Sequence, residues 1–215
     1  MPTEYIVQQG DYLAGLAKQF GLPASVIWNH PKNADLKQKR VDPNILFPGD
    51  RLHIPDLTTG EQSCSTDKLH KFETPNPKLS LRLTLEDQYH QPIANADCVL
   101  GVDGDFQKLK SDGKGKIEQV ISPGVQDGVI TIQVPNVPLG NFQIPLKIGY
   151  LDPLEEVSGQ IARLNNLGYL AGDADKPDLE AFRSAVEEFQ CDFGLRVDGI
   201  CGPKTQSKLK EVYGC

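Results

Sequence analysis

The sequence predicts a multidomain α+β protein: a small βααβ module, an all-β sandwich and a compact three-helix bundle. Three observations carry this. Apolar residues recur at helical spacing near the two ends of the chain. Strict alternation broken by turn signals fills the middle. A stretch rich in Ser, Thr, Pro and charge separates the first pattern from the second. The expected boundaries are 1–57, a linker over 58–77, then 78–150 and 151–215. With 215 residues, two or three small domains are within reach, and sixteen prolines with twenty glycines suit many turns better than long helices.

In the first module Tyr5-Ile6-Val7 is a β-prone run followed by a turn at Gln9-Gly10-Asp11. Leu13, Leu16, Ala17 and Phe20 then fall at i, i+3, i+4 and i+7, one face of a helix, and Gly21 is placed to stop it. Ala24 to Asn29 offers a second short helix carrying Val26, Ile27 and Trp28. A polar, basic stretch over 32–40 follows. After Ile45-Leu46 and the Pro48-Gly49 turn, Leu52 and Ile54 alternate with polar neighbours as a closing strand.

The middle region opens on Leu79, Leu81, Leu83 and Leu85, alternating with Ser80, Arg82 and Thr84 as in a half-buried strand. Turn signals at Asp87-Gln88, Asp103-Gly104, Asp112-Gly113 and Asp127-Gly128 separate further runs at 96–102, 106–109, 116–121 and 129–134, with 142–148 beyond. Such spacing predicts a β-sandwich.

In the last region Val157, Ile161, Leu164 and Leu167 define an amphipathic helix stopped by Gly168. Leu179, Phe182, Ala185, Val186 and Phe189 define a second, ending near Gly194. Pro203 opens a third over 205–213, with Leu209 and Val212 inward.

Charge narrows the partners. Lys and Arg total 22 against 29 Asp and Glu, a formal net charge of −7, and no segment forms a basic patch. Sequence-independent binding to nucleic acid, which relies on cationic side chains to displace counterions, is therefore not expected, nor is an anionic membrane surface. No apolar run is long enough to span a bilayer, so membrane insertion is not expected. Met1-Pro2-Thr3-Glu4-Tyr5 has neither a basic nor an apolar region of a signal peptide. The expected localisation is cytoplasmic at synthesis. Cys64, Cys98, Cys191, Cys201 and Cys215 lack zinc-site spacing. They read as free or buried thiols, with a bridge among the last three as the alternative in an oxidising compartment.

Three stretches of the first module, Tyr5–Leu13, Leu16–Gly21 and Leu46–Pro55, resemble the LysM domain, a βααβ carbohydrate-binding module. Gly10-Asp11-Tyr12-Leu13 and Pro48-Gly49-Asp50-Arg51-Leu52-His53-Ile54-Pro55 fall at that family's opening and closing motifs. The resemblance implies a groove for N-acetylglucosamine chains lined by Gly10, Asp11, Tyr12, Leu13, Ile45, Leu46 and Phe47. Backbone amides would meet the acetamido groups and an apolar wall the methyl. The segment from His30 to Pro43 is longer than the usual connection. It is similar to LysM-like modules of phage-tail and contractile-injection components, where docking to a protein replaces binding of glycan.

Ile161–Tyr169, Ala181–Gln190 and Gly194–Thr205, the last reading Gly-Leu-Arg-Val-Asp-Gly-Ile-Cys-Gly-Pro-Lys-Thr, resemble the three-helix peptidoglycan-binding domain. That family's earlier Asp-Gly-x-x-Gly repeat is replaced here by Asp173-Ala174-Asp175-Lys176-Pro177-Asp178. Two residues of this region are candidates for the ligand. Asp198 either caps the loop before Pro203 or touches sugar, and Tyr169 either stacks on a sugar ring or belongs to the core. Gln91–Ala96 with Ser111–Ile117 resembles immunoglobulin- or transthyretin-like sandwiches, which serve as spacers or docking surfaces. The succession of the three resembles proteins associated with type VI secretion spikes, which would carry a cytoplasmic protein to the periplasm.

Catalytic chemistry finds no support in the residue pattern, and no cofactor or metal is expected. His30, His53, His70 and His90 show no ligand spacing and read as surface or loop histidines. Glu155-Glu156 and Glu187-Glu188 are adjacent on helices and point about 100° apart, so they cannot face one another across a cleft. Ser65-Thr66-Asp67-Lys68 has S-x-x-K spacing without its companion motifs. Cys64 and His70 sit in the linker, which cannot hold a nucleophile and base in register. The expected function is a non-catalytic protein that binds peptidoglycan glycan strands, as accessory or cargo of a contractile injection machine. One alternative is an adaptor docking to a spike or effector protein without glycan. A wall hydrolase with an unrecognised site is the third.

Overall fold

The computed structural model describes residues 3–56, 63–71, 79–87, 89–133 and 141–215. Most of the expected linker, together with Gln88 and Val134 of the expected turn and strand, lies outside the described residues. The chain is a mixed α+β protein. It divides into two compact units, Met1–Tyr5 with Leu13–Ala34 and Arg51–Leu146, and Ile6–Tyr12 with Asp35–Asp50 and Lys147–Cys215.

In the first unit, strands β1 (Thr3–Ile6) and β2 (Arg51–Ile54) pair, and helices α1 (Leu13–Phe20) and α2 (Ala24–Trp28) lie between them in sequence. α1 buries Leu13, Leu16 and Ala17, the face that its spacing predicts, while Phe20 meets Tyr5 edge to face at 5.5 Å. α2 starts directly after the extended Pro23 and buries Ile27 and Trp28. A 3₁₀ turn (Pro31–Asn33) then places Asn33 against β2. Its amide donates to Ile27 O at 2.7 Å and His53 O at 2.9 Å, and its Oδ1 accepts from His53 N at 2.7 Å. That bracket ties the loop to the strand with every polar atom matched.

Among the described residues the same unit holds six strands in two antiparallel sheets, the last of them running one residue past its end. β3 (Leu79–Thr84) pairs with β6 (Lys116–Ile121), and the order β5 (Asp105–Lys110), β4 (Asp97–Val102), β7 (Asp127–Gln133), β8 (Asn141–Lys147) forms the other. Register sets Cys98 beside Leu109 and Ile132, and Leu100 beside Ile130. Cys98, Leu100, Val102, Ile130 and Ile132 are buried, as one face of a pleated sheet should be. Lys18 of α1 donates to Pro123 O at 2.9 Å in the turn between β6 and β7.

The second unit contains α3 (Ala34–Lys39), whose last five residues fall within it, and the bundle of α4 (Val157–Asn166), α5 (Leu179–Asp192) and α6 (Pro203–Tyr213). α3 lies in the polar stretch, where no helix was expected; a single apolar residue, Leu36, is buried on it. The bundle core is Ile161, Leu164, Tyr169, Ala171, Ala185, Val186, Phe189 and Leu209, flanked by Phe182, Phe193, Leu195 and Val212. Val157 and Leu179, expected inward, are exposed, Leu179 by 74%. Each opens its helix, where the apolar stripe has not yet turned toward the core.

Gly168, with φ +95°, ends α4, and Asp178 caps α5 by accepting from Glu180 N at 2.9 Å. Gly159 lets α4 run against the Asp152–Pro153 backbone, because a Cβ there would meet Asp152 O at 2.6 Å. Arg163 is buried among carbonyls, donating to Asp152 O and Gly159 O at 2.8 Å and Cys215 O at 2.9 Å, over the Tyr213 ring. Burial works against its charge and lowers its pKa.

Candidate functional site

The loops after β1 and before β2 are joined by their backbones. Val7 N–H donates to Asp50 O at 2.9 Å and Gly49 N–H to Val7 O at 2.8 Å. The Gln8–Asp11 turn is closed by Gln8 N–H on Asp11 Oδ2 at 2.8 Å. Opposite it, Asp50 accepts from Phe47 N–H at 3.0 Å and from Arg40 through two parallel bonds, Nε to Oδ2 at 2.8 Å and Nη2 to Oδ1 at 3.0 Å. Burial works against the Asp50 carboxylate. The Arg40 and Phe47 hydrogen bonds and the Arg40 charge outweigh it, holding the carboxyl below its ordinary range. Arg40 is raised in turn, first by the Asp50 hydrogen bond. Its guanidinium also lies 5.6 Å from the Phe47 ring centre, and Nη2 is 4.0 Å from Glu156 Oε1.

The residues proposed to line the first groove are not an open surface. Tyr12 and Leu46 are each 3% exposed, Gly10 is buried, and Asp11, Ile45 and Phe47 are half-buried. Leu13 is buried as the first residue of α1. Gly149, at φ +88°, packs on this loop so closely that a Cβ would fall 2.5 Å from Tyr12 Cδ1 and 2.6 Å from Gly10 O. Neither Arg40 nor Gly149 belongs to the expected site. The only hint of Gly149 in the sequence is an isolated glycine between Ile148 and Tyr150.

In the bundle, Gln190 organises the loop that the sequence singles out. Its Nε2 donates to Asp198 Oδ1, Ile200 O and Thr205 Oγ1, each at 3.0 Å. Its Oε1 accepts from Asp198 N at 2.9 Å and Gly199 N at 3.0 Å. Asp198 Oδ1 also accepts from Ile200 N–H at 3.0 Å. Of the two roles open to Asp198, these bonds are those of a loop cap. Gln190, then Ile200 N–H, holds its carboxyl below the ordinary range. Tyr169 is core: it is 5% exposed, stacks edge to face on Phe189 at 5.6 Å, and donates to Asp192 Oδ2 at 2.9 Å. It presents no ring face to a sugar.

The histidines correct one expectation. His53 is buried, not a surface or loop residue, stacked at 4.5 Å on His30 with Nδ1 3.1 Å from Glu4 Oε1. Both faces of β2 are covered, so alternation alone misplaces it. Among the described residues no group of three His, Cys, Asp or Glu is arranged to hold a metal, and no helix is long and apolar enough to cross a membrane. All five cysteines are free thiols, which leaves no bridge among Cys191, Cys201 and Cys215. Burial pushes the Cys201 thiol up to about 11.

Two family comparisons complete the picture. Residues 5–37 match the LysM domain, and residues 161–209 match the putative peptidoglycan binding domain. No curated protein and no solved structure matches the chain. The second match spans the Gln190–Asp198–Thr205 network, whereas the first ends within α3, before Arg40 and Asp50. The chain therefore carries a LysM domain in its N-terminal part and a peptidoglycan-binding domain near its C-terminal end.

Proposed function

We propose that this protein is a non-catalytic targeting module that attaches to peptidoglycan and serves a contractile injection machine as accessory or cargo. The observation that carries the peptidoglycan part is the pair of family matches at 5–37 and 161–209. The bundle adds a rigid, internally bonded loop at 198–205, a suitable platform for a polymer whose amide and hydroxyl groups need fixed partners. Retention on insoluble peptidoglycan, competed by soluble N-acetylglucosamine oligomers, is the expected result. Purified sacculi should not clear on incubation with the protein, and clearing would restore the hydrolase alternative.

The secretion role rests on the resemblance of the long 30–43 segment and on the order of domains. It predicts that the protein is made in the cytoplasm and exported only when the contractile sheath is intact. Unchanged export from a sheath-deficient host would remove it.

Arg40 and Gly149 favour a second reading, in which the first module serves protein contacts. Both of its loops already pack on protein, through Arg40 and Glu156 on one side and Gly149 on the other. Under that reading a spike or effector protein, not glycan, is the partner. Sacculus retention would then be absent or indifferent to sugar.

A further inference from the structure

We infer that the groove of the LysM domain is closed by the chain's own segment at 147–150, and that a saccharide reaches it only when that segment lifts away. The inference rests on the reading, made above, of the 10–13 and 45–47 loops as a saccharide site.

Residues 6–12, 35–50 and 147–215 form one compact unit, so the two loops and the covering segment share a packed body. On one wall, the Gly149 backbone lies where a single added methyl would collide with both the Tyr12 ring and the Gly10 carbonyl. Only a glycine combines that approach with a φ of +88°. On the other wall, the Arg40 guanidinium, fixed by its two bonds to Asp50, lies over Phe47. A sugar ring needs an aromatic or apolar face together with nearby backbone amides and carbonyls. Here Gly149 already packs against the Tyr12 ring and the Gly10 carbonyl, so sugar and Gly149 exclude one another.

Arg40 Nη2 also lies 4.0 Å from Glu156 Oε1, seven residues beyond Gly149 in the same unit. Closure of this kind acts as a population shift. Apparent affinity falls by the fraction of molecules open, and an open form at about 0.1–10% weakens binding about 10- to 1,000-fold.

The test uses the full ¹⁵N-labelled chain titrated with N-acetylglucosamine pentamer. In the wild type a nuclear Overhauser contact joins the Gly149 α-protons to the Tyr12 ring. The amide signals of Asp11, Tyr12, Ile45, Leu46 and Phe47 stay in place as sugar is added. In Gly149→Ala the contact is lost, and the same five signals shift saturably with an affinity at least about tenfold above wild type. Absence of the contact in the free wild type, or equally tight shifts in wild type and variant, overturns the closure. The Overhauser contact is read in the wild type alone, so closure stays testable even where the variant does not fold. A folded Gly149→Ala that loses the contact yet shows no shifts overturns the saccharide reading instead, which keeps the two failures apart.

Discussion

The side-chain amide of Gln190 clasps Asp198 from both ends: Nε2 donates to the Asp198 carboxylate at 3.0 Å, and Oε1 accepts the Asp198 backbone N–H at 2.9 Å. A buried helix residue thereby sets the geometry of an adjacent loop. Gln190→Leu keeps the volume but removes the acceptor of the half-buried Asp198 and Gly199 N–H groups and one bond to the Thr205 hydroxyl, which still donates to Ile200 O at 3.4 Å. At about 0.5–1.5 kcal/mol net for each hydrogen bond lost where water can replace the partner, urea denaturation should show a loss of about 2 kcal/mol. Gln190→Glu keeps the acceptor but sets a second carboxylate against Asp198. It should be less stable at neutral than at mildly acidic pH.

Asp198→Ala tests the cap directly. The melting temperature should fall, because Gln190 and Ile200 N–H lose their acceptor. Peptidoglycan retention of the folded fraction should stay at the wild-type level. Retention that falls without a change in melting would make Asp198 a contact to sugar. The folded carboxyl titrates below its unfolded value. Its contribution is therefore complete above the unfolded value and is lost as pH drops through the folded one.

Arg40 and Asp50 should behave as a buried pair. Arg40→Ala leaves the buried Asp50 carboxylate with only the Phe47 N–H and the exposed Lys39, 3.7 Å away, and should cost about 3 kcal/mol. The double change Arg40→Met with Asp50→Leu should cost less than the sum of the singles. Asp50 is also held below its ordinary range, so this stabilisation is full above about pH 3.9, the unfolded carboxyl value, and disappears as pH falls through the folded value. Denaturation across an acidic pH series should show that loss in the wild type and a flatter profile in the double variant.

Thiol reactivity should follow burial. At neutral pH a chromogenic disulfide reagent should modify the exposed Cys64 and Cys191 quickly. Cys98, Cys201 and Cys215 are raised by burial and should react at full rate only after denaturation. Two fast equivalents followed by three on unfolding is the expected count from these five thiols.

Leu16 is buried in α1. Leu16→Ala should destabilise by about 2–5 kcal/mol through lost burial and the cavity left behind, measured by thermal unfolding.

Some of these elements are plain in the sequence and others are not. α1 is legible because Leu13, Leu16, Ala17 and Phe20 share one face, and β3 because its leucines alternate with polar residues. α3 is missed because Leu36 alone makes no stripe. The signal that was available is electrostatic: Asp35 in its first turn, Lys37 and Lys39 in its last, matching the helix dipole. Tyr12 and Tyr169 illustrate the limit for site residues. An aromatic beside a loop reads equally well as ligand platform or core, and only its packing neighbours distinguish the two.

Sequence alone carried the motifs that resemble the LysM and peptidoglycan-binding domains at its two ends, and the spacing that marks most of the regular elements, since each lies within a short window. Tertiary structure alone decided that Arg40 meets Asp50, that His53 is buried, and that Gly149 covers Tyr12. The physical reason is that periodicity reports which residues share a face. What packs on that face is chosen by chain segments up to a hundred or more residues away, through contacts that carry no period.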